Sequence, residues 1–430
     1  MIGLLAAALS GAGLARAAGL RGWLAVAAAI ALGLGAESAT WAAATLLSTQ
    51  NSSVWAELAL TAAAASLLVA TPRQKKNNFF FGGVSDPFAS PGGWLWALFG
   101  AACLVCAAAF IEHTWRFPDG GWDAWMVWNL RARFFFRGDF RAAFSPDMLF
   151  LAHQDYPFLL PGLVAQGFAL IGREHPLVPE LIAALFGALA LAILSLGVAR
   201  LYGSRTGLLA GLALATMPCF PIFASNQQSD VPLAVYLLLA ALLIELEAPV
   251  IAGFSADLAA WTKNEGAMYA ALLALALLWR TRDLRRTARF SLGALPCALL
   301  FLCFKLHTAP ANDLAALSTQ ATVLHHALDL RRWGELAVLV LRRIVYFQDF
   351  GLWLAAEVCL LVYLRKRRPG VTGTALLLSC AAYVPIYVLQ PHPLQWIFCT
   401  SADRLVIQLW PAAILATVSA LAPARTTART

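Results

Sequence analysis

Charge is what this chain has least of. Only 13% of its 430 residues are Asp, Glu, Lys or Arg, against roughly 25% in soluble domains. So few charged groups cannot cover a water-facing surface, which excludes an ordinary soluble enzyme. Nucleotide and metal motifs are also missing. No glycine-rich phosphate loop joins a strand to a helix, there is no His-Glu-x-x-His, and Cys and His nowhere take metal spacing. The glycines at 82–83 and 92–93 read as linker. A disulfide framework is absent too. Of eight cysteines, Cys103, Cys106, Cys297, Cys303, Cys359 and Cys380 lie inside apolar runs, where they act as small hydrophobes. The spacing of Cys103 and Cys106 matches a redox pair, but inside an apolar run it reads as packing. No cofactor and no metal are expected.

What the chain has instead is apolar length. Hydrophobic residues make up 60%, and runs of about 20 match the thickness of a bilayer. The expected fold is all-α: a polytopic membrane protein of about thirteen transmembrane helices with juxtamembrane helices on the outer face. The candidate spans are 2–15, 22–47, 54–70, 93–112, 178–199, 206–223, 231–247, 249–262, 266–279, 290–307, 344–363, 372–390 and 404–422. Arg16 and Arg21 follow the first apolar run instead of preceding it, so residues 1–20 are expected to stay as a helix and not to be cleaved.

The net charge of +8 needs no nucleic-acid partner. Its basic residues sit in short clusters between apolar runs, the positive-inside pattern. Arg73/Lys75/Lys76, the run Arg280–Arg289 and Arg365–Arg368 mark the inner side. This divides the chain into an N-terminal three-helix extension (1–70), a cytoplasmic Gly/Pro/Ser/Asn-rich linker (71–92), a transmembrane core (93–422) and a cytoplasmic tail (423–430). The segment 156–172 is apolar but carries Pro157, Pro161, Gly162 and Gly167. It reads as a re-entrant or surface helix, with 249–279 as two short helices broken at Thr262–Gly266. Residues 308–343 alternate arginine pairs with apolar residues and are expected to lie along the interface.

Polar groups gather in one outer loop, 113–157, which a membrane protein has little reason to keep unless the loop acts. From Asp123 to Arg137, Trp125, Trp128, Phe135 and Phe136 recur near helical spacing, which predicts an amphipathic helix with its tryptophans at headgroup level. Asp119 or Asp123 caps that helix or does chemistry; spacing alone leaves both open. His153-Gln154-Asp155-Tyr156-Pro157 opens the next helix, and Asp155 has the same two readings. Asp230 precedes Pro232 at an outer helix start. Lys263 and Glu265 break an apolar run, as exposed loop residues or as costly intramembrane charges. Asp257 lies deeper in that run and expects a partner, with Lys263 about 9 Å along the helix axis. Arg404 is expected at the outer end of the last helix, either snorkelling or binding phosphate.

In this order the pieces resemble the GT-C class of polytopic glycosyltransferases, the group of the aminoarabinose transferases and protein O-mannosyltransferases. Asp123 stands for the acid after a membrane exit, and Gly138-Asp139-Phe140 ends the juxtamembrane helix that follows. HQDYPFLLP opens the next helix. Asp230, Thr262-Lys263 with Gly266, and Arg404 with Pro411 match the later motifs. Two departures stand out: Ala124, not Glu, follows Asp123, and HQDYP carries one proline of an expected pair.

The resemblance implies an inverting transfer from a polyprenyl-phosphate sugar to a lipid or glycan acceptor on the outer face of a bacterial inner (cytoplasmic) membrane, without a required metal. Catalytic carboxylates would come from Asp123, Asp119 and Asp155. Substrate would be held by His153, Tyr156, Asp230, Lys263, Glu265 and Arg404. A transporter or flippase for a lipid-linked sugar, and a polysaccharide polymerase or ligase, are the competing classes.

Overall fold

A computed structural model describes residues 2–47, 91–145, 153–312, 318–345 and 369–421. Among the described residues the regular structure is helical throughout. The helices are α1 (Ile2–Ala17), α2 (Gly22–Leu47), α3 (Gly93–Arg116), α4 (Asn129–Phe136), α5 (Leu159–Ile171), α6 (Leu177–Tyr202), α7 (Ser204–Ala215) and α8 (Cys219–Ser225). After them come α9 (Asp230–Glu245), α10 (Pro249–Thr262), α11 (Asn264–Thr281), α12 (Leu284–His307), α13 (Gln320–Leu328), α14 (Leu330–Val345), α15 (Val371–Leu389) and α16 (Leu394–Leu421). A single π-helical stretch, Ala124–Trp128, leads into α4.

The fold is organised around α9. Every residue from Asp230 to Ile244 is buried, so this helix is apolar all round and takes its neighbours on every side. It packs against α6, α10 and α16. At 16 residues it is about 24 Å long, and its N-terminal end is the buried carboxylate Asp230.

Small residues let the other helices close in. A side chain at Gly253 would run into the carbonyl of Phe290, and one at Gly293 into that of Val250, so α10 and α12 meet backbone to backbone. Gly11 and Gly33 do the same for α1 and α2. The α1–α2 hairpin is tied to the core: Tyr236 Oη donates to Ala31 O at 3.0 Å, and Ser38 Oγ to Leu159 O at 3.0 Å.

Among the described residues, six helices are long and apolar enough to cross a bilayer, or seven if the bent pair α7–α8, kinked by 73°, is one span. The described residues thus give fewer spans than the thirteen expected of the whole chain, which is an integral multi-pass membrane protein. The expected spans 54–70 and 344–363, the linker 71–92 and the tail 423–430 lie wholly or largely outside the described residues. Helices α9 and α10 pack as short interior elements of 16 and 14 residues. The expected surface or re-entrant helix appears as α5, whose 13 residues reach only about 20 Å against the roughly 30 Å of hydrocarbon. The expected break in 249–279 falls at Lys263, which takes extended backbone between α10 and α11. Gly266 is needed there: a Cβ on it would meet the Ala259 carbonyl, because α11 folds back directly over the end of α10.

Candidate active site

Two loops lock together at the N-terminal end of α9. Gly120 has φ +76°, and a Cβ there would come within 2.6 Å of Asn226 O, so only glycine fits. Gly121 N donates to Asn226 O at 3.1 Å. Gln227 has φ +56°, a left-handed conformation that costs energy for a side-chain-bearing residue. Its amide spans the joint, accepting from Asn129 Nδ2 at 2.8 Å and donating to Pro118 O at 2.8 Å. The loop before Asp123 is thus clamped to the loop before Asp230.

Asp123 precedes the π-helical stretch but makes no side-chain cap. Its carboxylate is turned to Arg404 instead, with Arg404 Nη1 2.6 Å from Asp123 Oδ2. The same guanidinium donates from Nε to Asp230 Oδ2 at 2.9 Å. The other oxygen of Asp230 accepts from Lys263 Nζ at 3.1 Å and Gln408 Nε2 at 2.6 Å. Lys263 Nζ also pairs with Glu265 Oε1 at 2.9 Å. Asp230 is fully buried and the Lys263 side chain nearly so, whereas Asp123 and Arg404 are 17% and 19% exposed. A ligand therefore meets the Asp123–Arg404 pair first, with Asp230 as the buried anchor behind it.

A second carboxylate centre adjoins it. Asp155 is buried, and its Oδ2 takes Asn264 Nδ2 at 2.6 Å, Asn312 Nδ2 at 2.7 Å and Lys305 Nζ at 3.1 Å. Lys305 also donates to the Asp155 carbonyl. Burial pushes the Asp155 carboxyl up, but Lys305 and the two asparagines outweigh it and hold the group below the usual carboxylate range. Through Asn264, Asp155 fixes the residue next to Lys263.

Tyr156 joins the two centres. Its ring stacks on Trp128 with centroids 5.8 Å apart and on His153 at 4.9 Å. Lys263 Nζ lies 5.5 Å from the Tyr156 ring centroid, a cation–π distance. Arg131, buried beneath, donates to Tyr156 O at 2.7 Å and His153 O at 3.4 Å. Burial lowers its pKa to about 10, against the pull of Asp155 and Tyr156. His153 sits at φ +45°.

The structure thus brings together Asp123, Asp155, His153, Tyr156, Asp230, Lys263, Glu265 and Arg404 from five stretches of chain. Asp119 stands apart: it is mostly exposed and faces Arg133 at 4.0 Å. Several expectations need correction. Neither Asp123 nor Asp155 caps a helix. Lys263 is buried, not an exposed loop residue. It pairs with Asp230 and Glu265, so it is not the partner of Asp257, whose Oδ2 has no hydrogen-bond partner. The segment after Asp123 turns one face inward: Trp128 and Arg131 are buried, while Trp125 is exposed. Arg404 does not open the last helix, because α16 starts ten residues earlier at Leu394. Lys305, Asn264, Asn312 and Gln408 were missed. Lys305 and Gln408 did leave a signal, since each is a polar residue inside an apolar run.

Among the described residues no group of three or more His, Cys, Asp or Glu could hold a metal. No curated protein and no solved structure matches the chain. Residues 155–307 match the model of the dolichyl-phosphate-mannose-protein mannosyltransferase family. The matched stretch runs from Asp155 to His307 and takes in Asp230, Lys263, Glu265 and Lys305, while Asp123 and Arg404 lie outside it. This similarity supports a glycosyltransferase of the GT-C class, built as an integral multi-pass membrane protein.

Proposed function

We propose that the protein moves a sugar from a polyprenyl-phosphate donor to an acceptor hydroxyl of a lipid or glycan, at the outer face of a bacterial cytoplasmic membrane. The observation that carries this reading is the bridge made by Arg404 between the partly exposed Asp123 and the buried Asp230. The acceptor oxygen attacks the anomeric carbon from the side opposite the phosphate. The bond from that carbon to the phosphate oxygen breaks, which inverts the anomeric centre. Polyprenyl phosphate leaves with the bonding electrons, and Asp123 takes the acceptor proton.

The ligand-free geometry supports an order of events. Arg404 is held by two carboxylates, and a donor phosphate competes with Asp123 for its exposed edge. As the phosphate takes that edge, Asp123 is released as a proton acceptor while Asp230 keeps the guanidinium aimed. Lys263 adds positive charge where the leaving phosphate gains negative charge. Asp155 acts as an anchor: through Asn264 it holds the helix break that points Lys263 inward. Trp122 and Trp125, exposed and edge to face at 5.9 Å, suit the headgroup boundary.

Asp123→Asn tests the assignment. It keeps the shape and removes the proton acceptor, so transfer by purified, correctly folded protein should fall to background. Activity within a few-fold of wild type would overturn Asp123 as the base.

A further inference from the structure

Downstream of Asp123, along α4, lies a second polar site whose lining shares no residue with the charge cluster. Asn129 and Arg133 of α4, with Asp119, Phe168, Glu174 and His175, line an open cavity of about 300 Å³. That volume is at the lower end of the range for small-molecule sites, and it suits a single ring-sized ligand.

The wall has hydrogen-bonding capacity that the protein leaves unused. Asn129 is 4% exposed and spends its amide on Gln227, yet its Oδ1 accepts from no group. Arg133 Nε donates to no group; Glu174 Oε2 is 3.8 Å away and Asp119 faces the guanidinium at 4.0 Å, both too long for hydrogen bonds. Arg137 does not compete for the cavity, being committed to Glu174 by bonds of 2.6 and 2.9 Å.

The charges select the ligand. Asp119 and Glu174 flank the Arg133 guanidinium and Arg137 is already spent on Glu174, so the wall offers no surplus positive charge to a phosphate and the donor headgroup does not belong here. Acceptors on Asp119, Glu174 and Asn129, donors on Arg133 and His175, and the apolar Phe168 suit a neutral molecule that both donates and accepts through several hydroxyls. The wall is also wired to the chemistry. Asn129 holds the strained Gln227, three residues before Asp230, so occupancy of the cavity bears on the loop that carries the buried anchor.

We infer that this cavity is a binding subsite for a neutral sugar ring of the acceptor. The inference rests on the glycosyltransferase reading for the word acceptor, and on the cavity alone for the sugar.

The test uses full-length protein in lipid nanodiscs, free of glycosidic detergent, probed with a panel of methyl hexopyranosides by saturation-transfer NMR. At least one hexoside should bind the wild type. The combined Asp119→Asn, Arg133→Leu, Glu174→Gln variant should bind it about tenfold more weakly, as expected for lost charged hydrogen bonds. If the triple variant does not fold, Asp119→Asn, at a mostly exposed position, replaces it and should weaken binding measurably. No binding by the wild type, or binding unchanged in the variants, overturns the subsite. Sugar binding by protein that shows no transfer leaves the subsite standing and counts against the transferase reading alone.

Discussion

Replacing Arg404 by lysine separates the geometry of this site from its charge. Arg404 uses two different nitrogens on two different carboxylates, Nη1 to Asp123 at 2.6 Å and Nε to Asp230 at 2.9 Å. A lysine has one ammonium nitrogen on a flexible stem and cannot reproduce a planar fork spread over both acids. It keeps the positive charge, so Asp230 stays compensated and the fold should hold. What goes is one charged hydrogen bond, worth about 1.5–3 kcal/mol, and with it the bidentate edge offered to a phosphate. In rate terms that is about a 10- to 150-fold fall in kcat/KM. The assay is transfer in proteoliposomes, with any polyprenyl-phosphate sugar and acceptor that the wild type turns over. Apparent melting temperature serves as the control for folding. If Arg404→Lys keeps kcat/KM within threefold of wild type, the bridge does not organise the reaction, and the proposed competition between phosphate and Asp123 fails with it.

Other outcomes follow from single contacts. Asp155 has its carboxyl held below the usual range, so its ionised form favours the folded state. That contribution is complete above about pH 4 and is lost as the pH falls through the lower folded value. Wild-type melting temperature should therefore drop below about pH 4, with a smaller drop in that window for Asp155→Asn; equal slopes by fluorescence melting would refute the anchor. Asp257 is buried with Oδ2 unpaired, so Asp257→Leu should raise stability by about 1 kcal/mol without changing transfer, and a loss of activity would show that the carboxyl is used. In a cysteine-free background, Asp119→Cys should react with an impermeant maleimide from outside, and Arg285→Cys, exposed beside Asp283, only after the membrane is opened. The reverse pattern would invert the assigned orientation.

The sequence disclosed this architecture wherever a residue's cost depends on its own segment. A lysine in an apolar run is expensive wherever the run goes, so Thr262–Gly266 could be marked as a break, and the break is at Lys263. Paired prolines and glycines forbade a clean span at 156–172, and α5 is indeed too short to be one. What could not be read was direction. The tryptophans and arginines after Asp123 fit a surface helix by period alone, yet Arg131 turns inward to the His153 and Tyr156 carbonyls. The loop backbone that needs it lies more than twenty residues on, and no local pattern announces a carbonyl left without a donor.

The same limit explains Asp155. Near a helix start an aspartate is statistically a cap, and only the fold supplies Lys305 and Asn312, some 150 residues away, as the partners that make it an anchor. The consequence reaches the chemistry. Asp155 keeps a buried Oδ1 without a hydrogen-bond partner, but its Oδ2 takes three donors and its charge is paired with Lys305, and Asp230 has three contacts of its own, so a proton on either cancels a buried ion pair. Asp123 has a single exposed-side partner, Arg404, which a donor phosphate can draw away. Asp119 stands outside the cluster, so the choice of Asp123 over Asp155, and over Asp230 beside it, turns on how many partners each must abandon, a quantity that exists only once the chain is folded.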